Sequence, residues 1–397
     1  MSPVGKTLGW MALLLGAAVT MNAQDFQVFD KDVQIHGFFS QGFGYTDQNN
    51  WLTMGTSHGS PALTEAAVNI SMTISDKFRI GAQGYTRKIG SLDDFRPELD
   101  WAYADYKFAS WFGLRGGKVK TAMGLYNDTQ DMTFLYPWAL LPQGVYPVDL
   151  RSTYISHTGG DAYGRISLKK AGHLEYTVYG GQRTYDDREG IPLFTASIGL
   201  NLLTIRGNTV GADLKWMPID GLTLGTSWAD LWQYRHVALG VVPYENLYSS
   251  PNRPHVGYLD FARGKWDFAG EVRQIVDIEK YNVIGRSPTL TPIDKSTNDW
   301  FASASYHVTS KLQLGYYHSY WKVLHPTTPA NPASTHIRDE AVAARYDLNR
   351  YWDVKAEGHF MNGYGDSRQA EGFYAVFNPQ GLKPDTNALI LRLTFKL

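Results

Sequence analysis

One short motif in the sequence has the spacing of a serine nucleophile. Gly55-Thr56-Ser57-His58-Gly59 fits the Gly-x-Ser-x-Gly pattern, in which a sharp strand-to-helix turn exposes the serine hydroxyl. Here the motif lies in a polar stretch, with neither a buried strand before it nor a helix after it. We therefore expect a loop at this position and no enzymatic activity.

Thiol, metal and nucleic-acid chemistry have still less support. The 397 residues include 0 Cys, which rules out thiol nucleophiles and thiolate ligands, and the 11 His are scattered without metal-site spacing. The pairs Asp93-Asp94 and Asp186-Asp187 lie in polar stretches, where solvated surface is the better interpretation. A formal net charge of −1 provides no basic field for a polyanion. We expect no cofactor, no metal and no nucleic-acid partner.

A larger set of charged residues points to electrostatic selection of solutes. In a narrow, partly desolvated passage, facing charges decide which ions permeate. The candidate lining residues are Arg79, Arg87, Asp105, Lys107, Lys118, Lys120, Asp128, Asp131 and Arg165, with Asp149 beside the other aspartates of one long connection. Their basic surplus predicts a mild preference for anions. The alternative is that these charges pair with one another structurally.

The elements that would position these residues are strands, because apolar and polar residues alternate with period two. Examples of the apolar and polar sets are Phe78, Ile80 and Ala82 against Arg79 and Gln83, and Leu389, Leu391 and Leu393 against Arg392 and Thr394. A face that carries Asp, Glu, Lys and Arg cannot be the dry core of a sandwich, because unpaired buried charge is too costly. The pattern predicts an all-β chain that forms a transmembrane antiparallel β-barrel.

Connection lengths alternate as well. Tight turns, such as Ser75-Asp76-Lys77 and Ile219-Asp220-Gly221, separate longer polar or proline-rich stretches. The long stretches lie near 47–62, 90–98, 128–152, 185–204, 236–252, 279–297, 325–335 and 366–385. This order predicts about 16 strands with long external loops and short turns at the opposite rim.

The connection at 128–152 differs from the others because it is apolar. An apolar loop exposed to water would be a liability. It follows the fifth predicted strand of the barrel, so it is the third external loop, and its composition suits packing against the inner wall. We expect it to fold inward and narrow the lumen; a contact between subunits is the alternative.

The N-terminus and the aromatic residues agree with a membrane barrel. Residues 1–23 carry Lys6, an apolar run and Met21-Asn22-Ala23, which predicts a signal peptide cleaved after Ala23 and a barrel over 24–397. Aromatic girdles form where strands meet the membrane interfaces. The candidates are Trp101, Trp111, Trp216, Trp228, Trp266, Trp300, Tyr316, Tyr346 and Trp352.

Two segments resemble a known family. The run 101–107, followed by Leu114-Arg-Gly-Gly-Lys118-Val-Lys120-Thr-Ala-Met-Gly124, is similar to the central strands of Gram-negative porins, in particular the phosphate-selective porin O and P superfamily. Ala122-Met123 stand where that superfamily has Pro-Phe. Residues 345–349 and 352–359 resemble its penultimate hairpin. The resemblance implies the porin fold more than it implies phosphate selectivity.

The combined expectation is an outer-membrane porin that passes small polar solutes by passive diffusion. A substrate-specific channel for phosphate, an organic anion or an oligosaccharide is one alternative, and a non-conducting barrel used for binding or adhesion is another. The expected partners are outer-membrane lipid, small polar solutes and the barrel-assembly machinery. A homotrimer is expected by analogy with porins of this size.

Overall fold

In the computed structural model, the chain is a sheet of long antiparallel strands. The structure describes residues 24–28, 31–183, 185, 188–197, 200–239, 242–279, 293–326, 332–365 and 372–397. The strands are β1 (Gln24–Val28), β2 (Lys31–Thr46), β3 (Ser60–Ser75), β4 (Phe78–Ile89), β5 (Glu98–Ala109), β6 (Phe112–Lys120), β7 (Ser156–Ser167), β8 (His173–Arg183), β9 (Leu200–Ile219), β10 (Leu222–Leu239), β11 (Val242–Arg263), β12 (Trp266–Glu279), β13 (Ile293–Asp294), β14 (Thr297–His307), β15 (Leu312–Val323), β16 (His336–Asp347), β17 (Trp352–Asn362) and β18 (Asp385–Lys396).

The sheet closes on itself. Each long strand pairs with its sequence neighbours, and the last strand, β18, pairs with β2 in a register that places Leu391 opposite Phe43. The short strands β1 and β13 pair with β2 and β12 outside this ring. The prediction of about 16 strands is confirmed, because the wall is a closed barrel of 16 antiparallel strands. Closure leaves the 16 strands of the ring without a free edge.

Alternation along the strands sorts side chains between two faces. On β18, Leu389 and Leu391 are 43% and 42% exposed on the outside, whereas Ile390 and Arg392 are 0% and 2% exposed within the barrel. The exposed side chains on the outer face are mostly aliphatic or aromatic. The period-two prediction is confirmed, since the wall is apolar outside and carries charge inside.

Connection lengths also alternate as predicted, with one exception. Short turns join β3 to β4, β5 to β6 and the later hairpins at one end of the barrel, called here the short-turn rim; the other end is the long-loop rim. The predicted loop at 236–252 is wrong, because β10 and β11 stay paired up to Leu239 and Val242 and leave only residues 240–241 between them. Continued pairing satisfies the backbone polar groups of this proline-containing segment, which polarity alone had marked as a loop. The predicted signal peptide, 1–23, lies outside the described residues.

Helices are minor elements. Arg151–Tyr154 forms one helical turn and Gly190–Ser197 forms two, both in long connections. In the described part of the chain, no helix is both long and apolar enough to cross a membrane.

Most of the predicted girdle residues lie on the outer face. Trp111, Trp216, Trp266 and Tyr346 are exposed there near strand ends. Trp101 is an exception: it points into the lumen, where its ring stacks on that of Tyr103 at 5.2 Å. A register shift between β4 and β5 at Gln83/Gly84 accompanies this placement, while Leu99 faces outward.

Candidate pore constriction

The third long connection runs from residue 121 to residue 155, between β6 and β7, and crosses the interior of the barrel. Its apolar residues Trp138, Leu140 and Val145 are each at most 3% exposed. The ring of Trp138 packs edge-on against Tyr317, an inward-facing residue of β15, with centroids 5.0 Å apart. The segment therefore packs against the inner face of its own barrel wall. We call it the third loop.

Buried charged side chains of β17 and β18 hold the backbone of the third loop. The Glu357 carboxylate accepts hydrogen bonds from the backbone N–H groups of Ala139 (2.8 Å) and Leu140 (3.2 Å). The Lys355 ammonium donates to the carbonyls of Trp138 (3.0 Å) and Thr133. Arg392 donates to the carbonyl of Ala139 at 2.8 Å. Charged groups thus replace water as partners for loop backbone that has no strand to pair with.

A second anchor lies on β12. Glu271 accepts hydrogen bonds from the backbone N–H of Leu125 (2.7 Å) and from the hydroxyl of Tyr146. Arg273 pairs with Asp299 at 2.7 Å and donates to the carbonyl of Gly144 at 3.2 Å. Because β12 and β17 lie on different parts of the wall, the third loop is fixed at two separate places inside the barrel.

A cluster of opposite charges forms where the third loop leaves β6. Asp131 of the loop accepts from Lys120 Nζ (2.7 Å) and Gln83 Nε2 (2.9 Å), and Arg151 pairs with Asp100 at 2.6 Å. Burial by itself would raise the pKa of Asp131, but the cations of Lys120 and Arg151 lower that pKa below its usual range. Asp131 therefore stays ionised and serves as a structural counter-ion.

Two further predicted lining residues are locked in buried contacts. The Arg87 guanidinium pairs with Asp93 and Glu189 and donates to the carbonyl of Val148 at 2.6 Å. Asp149 accepts from the hydroxyl of Tyr374 (2.6 Å), a hydrogen bond that opposes the rise in its pKa caused by burial. The interpretation of Asp93 as solvated surface is wrong, because its partner Arg87 draws it into the barrel, where it is 6% exposed.

The remaining predicted residues are more accessible, except Asp105, which is buried. Arg79 is about half exposed and lies 3.5 Å from Asp105, which also accepts from the Tyr163 hydroxyl at 2.6 Å. Lys107 is exposed near the short-turn rim, and Asp128 is half-buried on the third loop. Arg165 pairs loosely with Glu175, at 3.6 Å, at the same rim.

Lys118 does not face the lumen. On β6 the inward position belongs to Arg115, whose Nε lies 2.9 Å from Asp161, while Leu114 is exposed outside. Lys118 shares the outward face with Leu114, and its ammonium donates to the carbonyl of Leu99 at 2.5 Å. The sequence prediction failed because Gly116-Gly117 carry no side chains that could show the phase of the strand. Lys120 is the last residue of β6, and its ammonium lies 2.7 Å from the buried Asp131 carboxylate inside the barrel.

Sequence reasoning missed the residues that hold the third loop: Arg151, Glu271, Arg273, Arg345, Lys355, Glu357 and Arg392. Alternation had already placed Arg392, Glu271 and Arg273 on an inward face. Charged residues that face inward, together with an apolar loop inside the barrel, could have predicted that these side chains bind the loop backbone.

The candidate nucleophile has no catalytic setting. Ser57 lies in a single 3₁₀ turn, Thr56–His58, and its hydroxyl donates to Asn50 Oδ1 at 2.9 Å and lies 3.0 Å from Nδ1 of the adjacent His58. This is a local loop contact and lacks the strand-to-helix turn of a nucleophile elbow. Among the described residues, no group of three or more His, Asp or Glu could hold a metal ion.

A closed 16-stranded barrel that is apolar outside, charged inside and narrowed by its third loop has the fold of outer-membrane porins. No protein-family model and no curated protein matches the sequence. Among solved structures, the chain is similar to OmpT, an outer membrane protein of Vibrio cholerae, with a TM-score of 0.59, 10% identity and coverage of 94% of this chain and 100% of that one. It is similar to Salmonella typhi OmpF in complex with daunomycin (TM-score 0.58, 14% identity, coverage 94% and 100%). It is also similar to an anion-selective porin from Comamonas acidovorans (TM-score 0.55, 10% identity, coverage 92% and 100%).

Proposed function

We propose that this protein is an outer-membrane porin through which small polar solutes diffuse passively. The observation that carries the proposal is the third loop, which buried charges of the opposite wall hold inside a barrel whose outer face is apolar. Such a loop narrows an aqueous passage without a moving part or an energy source. The apolar outer face suits a lipid environment, and the predicted signal peptide at 1–23, cleaved after Ala23, suits export to the outer membrane.

Purified protein in a planar lipid bilayer tests the proposal. We expect stepwise current increases of uniform size as single channels insert. A correctly folded barrel that inserts without any conductance would overturn the proposal and favour a barrel used for binding or adhesion.

We further propose a mild anion preference. Two of the loop acids, Asp131 and Asp149, are 2% and 0% exposed, so they contribute little negative field to the lumen. The inward-facing Lys107 and Arg79 remain accessible. One of the similar structures is described as an anion-selective porin. The reversal potential in a salt gradient measures this preference, and a cation-selective value would contradict it.

Kinship with the phosphate-selective superfamily remains a hypothesis, supported by the motifs at 101–126 and 345–359. Insertion by the barrel-assembly machinery is likewise a proposal, supported by the alternating terminal strand β18.

A homotrimer is the proposed assembly. On the outer face of β15 and β16, the Tyr316 hydroxyl and His318 Nδ1 both contact the Glu340 carboxylate. These residues share a face with the exposed Leu314 and Val342, and polar groups on such a face suit protein contact better than lipid. A structure of OmpT of Vibrio cholerae is described as a trimer form. Native mass spectrometry in mild detergent tests the assembly, and a monomer would contradict it.

A further inference from the structure

A cavity of about 740 Å³ lies in the lumen between the third loop and the short-turn rim. Its walls come from β2 to β5, from the end of β18 and from the turn between β16 and β17, and the third loop covers it with Phe134. This volume is in the range of pockets that enclose small organic ligands. The cavity lies on the path that a solute entering the lumen from the short-turn rim would take.

The cavity lining carries more positive than negative charge. Arg79, Arg350 and Lys396 line it, none of the described lining side chains belongs to an Asp or Glu, and the main-chain carboxylate of Leu397 is the acidic group among the lining residues. The Asp105 carboxylate lies 3.5 Å from the Arg79 guanidinium outside the lining and also accepts a hydrogen bond from the Tyr163 hydroxyl. Lys396 Nζ lies 5.8 Å from the centre of the Phe134 ring. Cations that outnumber acids inside a partly enclosed space attract an anion more strongly than they would in bulk water.

A second cavity, of about 360 Å³, has the opposite character. It lies on the β11 to β16 side of the lumen and includes Asp260, Asp267 and Asp347 in its lining. An anion is therefore directed to the larger cavity and away from the smaller one.

The larger cavity also offers flat apolar surfaces. The rings of Trp101 and Tyr103 stack on each other at 5.2 Å with an angle of 29° between their planes. Phe134 adds a third ring, which lies 5.8 Å from that of Phe38. Inward-facing aromatic rings on a barrel wall do not meet lipid, so the membrane interface does not explain them. Aromatic faces next to guanidinium and ammonium groups match a ligand that is both planar and anionic.

We propose that this cavity binds small aromatic carboxylates, with the ring against Trp101 and the carboxylate toward Arg79 and Lys396. The inference rests on the proposed function for the route by which the ligand arrives. The inference goes beyond passive diffusion because it names a binding site in the lumen and the class of ligand that binds there. Binding in a passage must be reversible enough for the ligand to leave, so the site slows a solute without trapping it.

Benzoate block of single-channel current tests the proposal, with acetate and benzyl alcohol as controls that lack the ring or the charge. We expect benzoate to interrupt the current at lower concentration than either control. Trp101→Ala and Lys396→Gln should each weaken the benzoate block about tenfold, the effect of losing one stacking or ionic contact. Trp300→Ala and Lys118→Gln, both on the outer face, are the matched controls and should leave it unchanged. Equal block by acetate and benzoate, or full block in Trp101→Ala, would overturn the proposal.

Isothermal titration calorimetry of benzoate against detergent-solubilised protein separates this inference from the proposed function. Benzoate binding that Trp101→Ala weakens would support the site even in a barrel that conducts no ions. A conducting barrel to which benzoate does not bind would refute the site and leave the porin proposal standing.

Discussion

Replacing Glu357 by Gln should loosen the third loop from the inner wall. The Glu357 carboxylate is fully buried and accepts two backbone hydrogen bonds, from Ala139 at 2.8 Å and Leu140 at 3.2 Å. Glutamine has nearly the same volume, but it is neutral and offers one acceptor oxygen. The substitution therefore removes charge-assisted bonding while leaving the packing of β17 intact.

The Glu357 carboxylate also lies 2.9 Å from Nε2 of the buried His359, but the effect on the third loop follows from the two backbone bonds. A hydrogen bond to a charged group stabilises by roughly 1.5–3 kcal/mol, and the glutamine carbonyl can still accept one bond. We expect a net loss of about 2 kcal/mol for the docked loop, which raises the population of detached loop about 30-fold. Lys355 and Arg392 still hold neighbouring carbonyls, so the loop should fluctuate more without leaving the lumen.

Single-channel recording measures this directly. Glu357→Gln should show larger open-channel noise and excursions to higher conductance, since a detached loop widens the passage. Glu175→Gln is the matched control, because Glu175 lies at the short-turn rim and contacts only Arg165 at 3.6 Å among the ion pairs of the described residues. Identical conductance and noise in folded Glu357→Gln would refute the role of this carboxylate in anchoring the loop.

Three further predictions concern charge. Lys107→Glu should shift the reversal potential in a salt gradient toward cations, whereas Lys118→Glu, on the outer face, should leave it nearly unchanged; equal shifts would contradict the assigned faces. Arg151→Met removes the cation that lies 2.6 Å from Asp100 and leaves Lys120 as the remaining partner of Asp100 and Asp131. It should lower the free energy of unfolding by up to about 3–5 kcal/mol, whereas Arg165→Met at an exposed pair should cost less than about 1 kcal/mol. Heat-induced loss of the folded band on gels ranks the two variants, and similar losses would count against the buried cluster. The pKa of Asp131 is lower in the folded protein than in the unfolded chain, where it is about 3.9. The ionised Asp131 carboxylate therefore stabilises the fold fully above about pH 3.9, and this stabilisation is lost as the pH falls below that value. The unfolding temperature of the parent protein should thus fall more steeply below about pH 4 than that of Asp131→Asn, and parallel curves would refute the assignment.

The wall of the barrel could be predicted from the sequence because its cause is local. On β18, apolar Leu389 and Leu391 alternate with Arg392 and Thr394, and this alternation depends only on the two-residue period of a strand. The apolar composition of 128–152 similarly predicted an inward loop, because such a segment needs a partner other than water. At Gly116-Gly117 there are no side chains to show which residues of the strand point inward. The same reasoning therefore put Lys118 on the wrong face.

Only the tertiary structure decided whether each charged side chain is buried in a contact or exposed to water. Lys355 and Glu357 follow the same alternation as Lys107, yet they are buried against the third loop, whereas Lys107 remains exposed. Some inward-facing charged residues face water and others hold the third loop. The difference depends on the position of the third loop, which is more than 200 residues away in sequence from Lys355 and Glu357. The sequence by itself determined a barrel with a charged interior and an apolar third loop. Only the folded chain determined which side chains hold the third loop, which acids are paired with cations, and where the cavity beside Trp101 lies. Burial and charge pairing depend on contacts between distant segments.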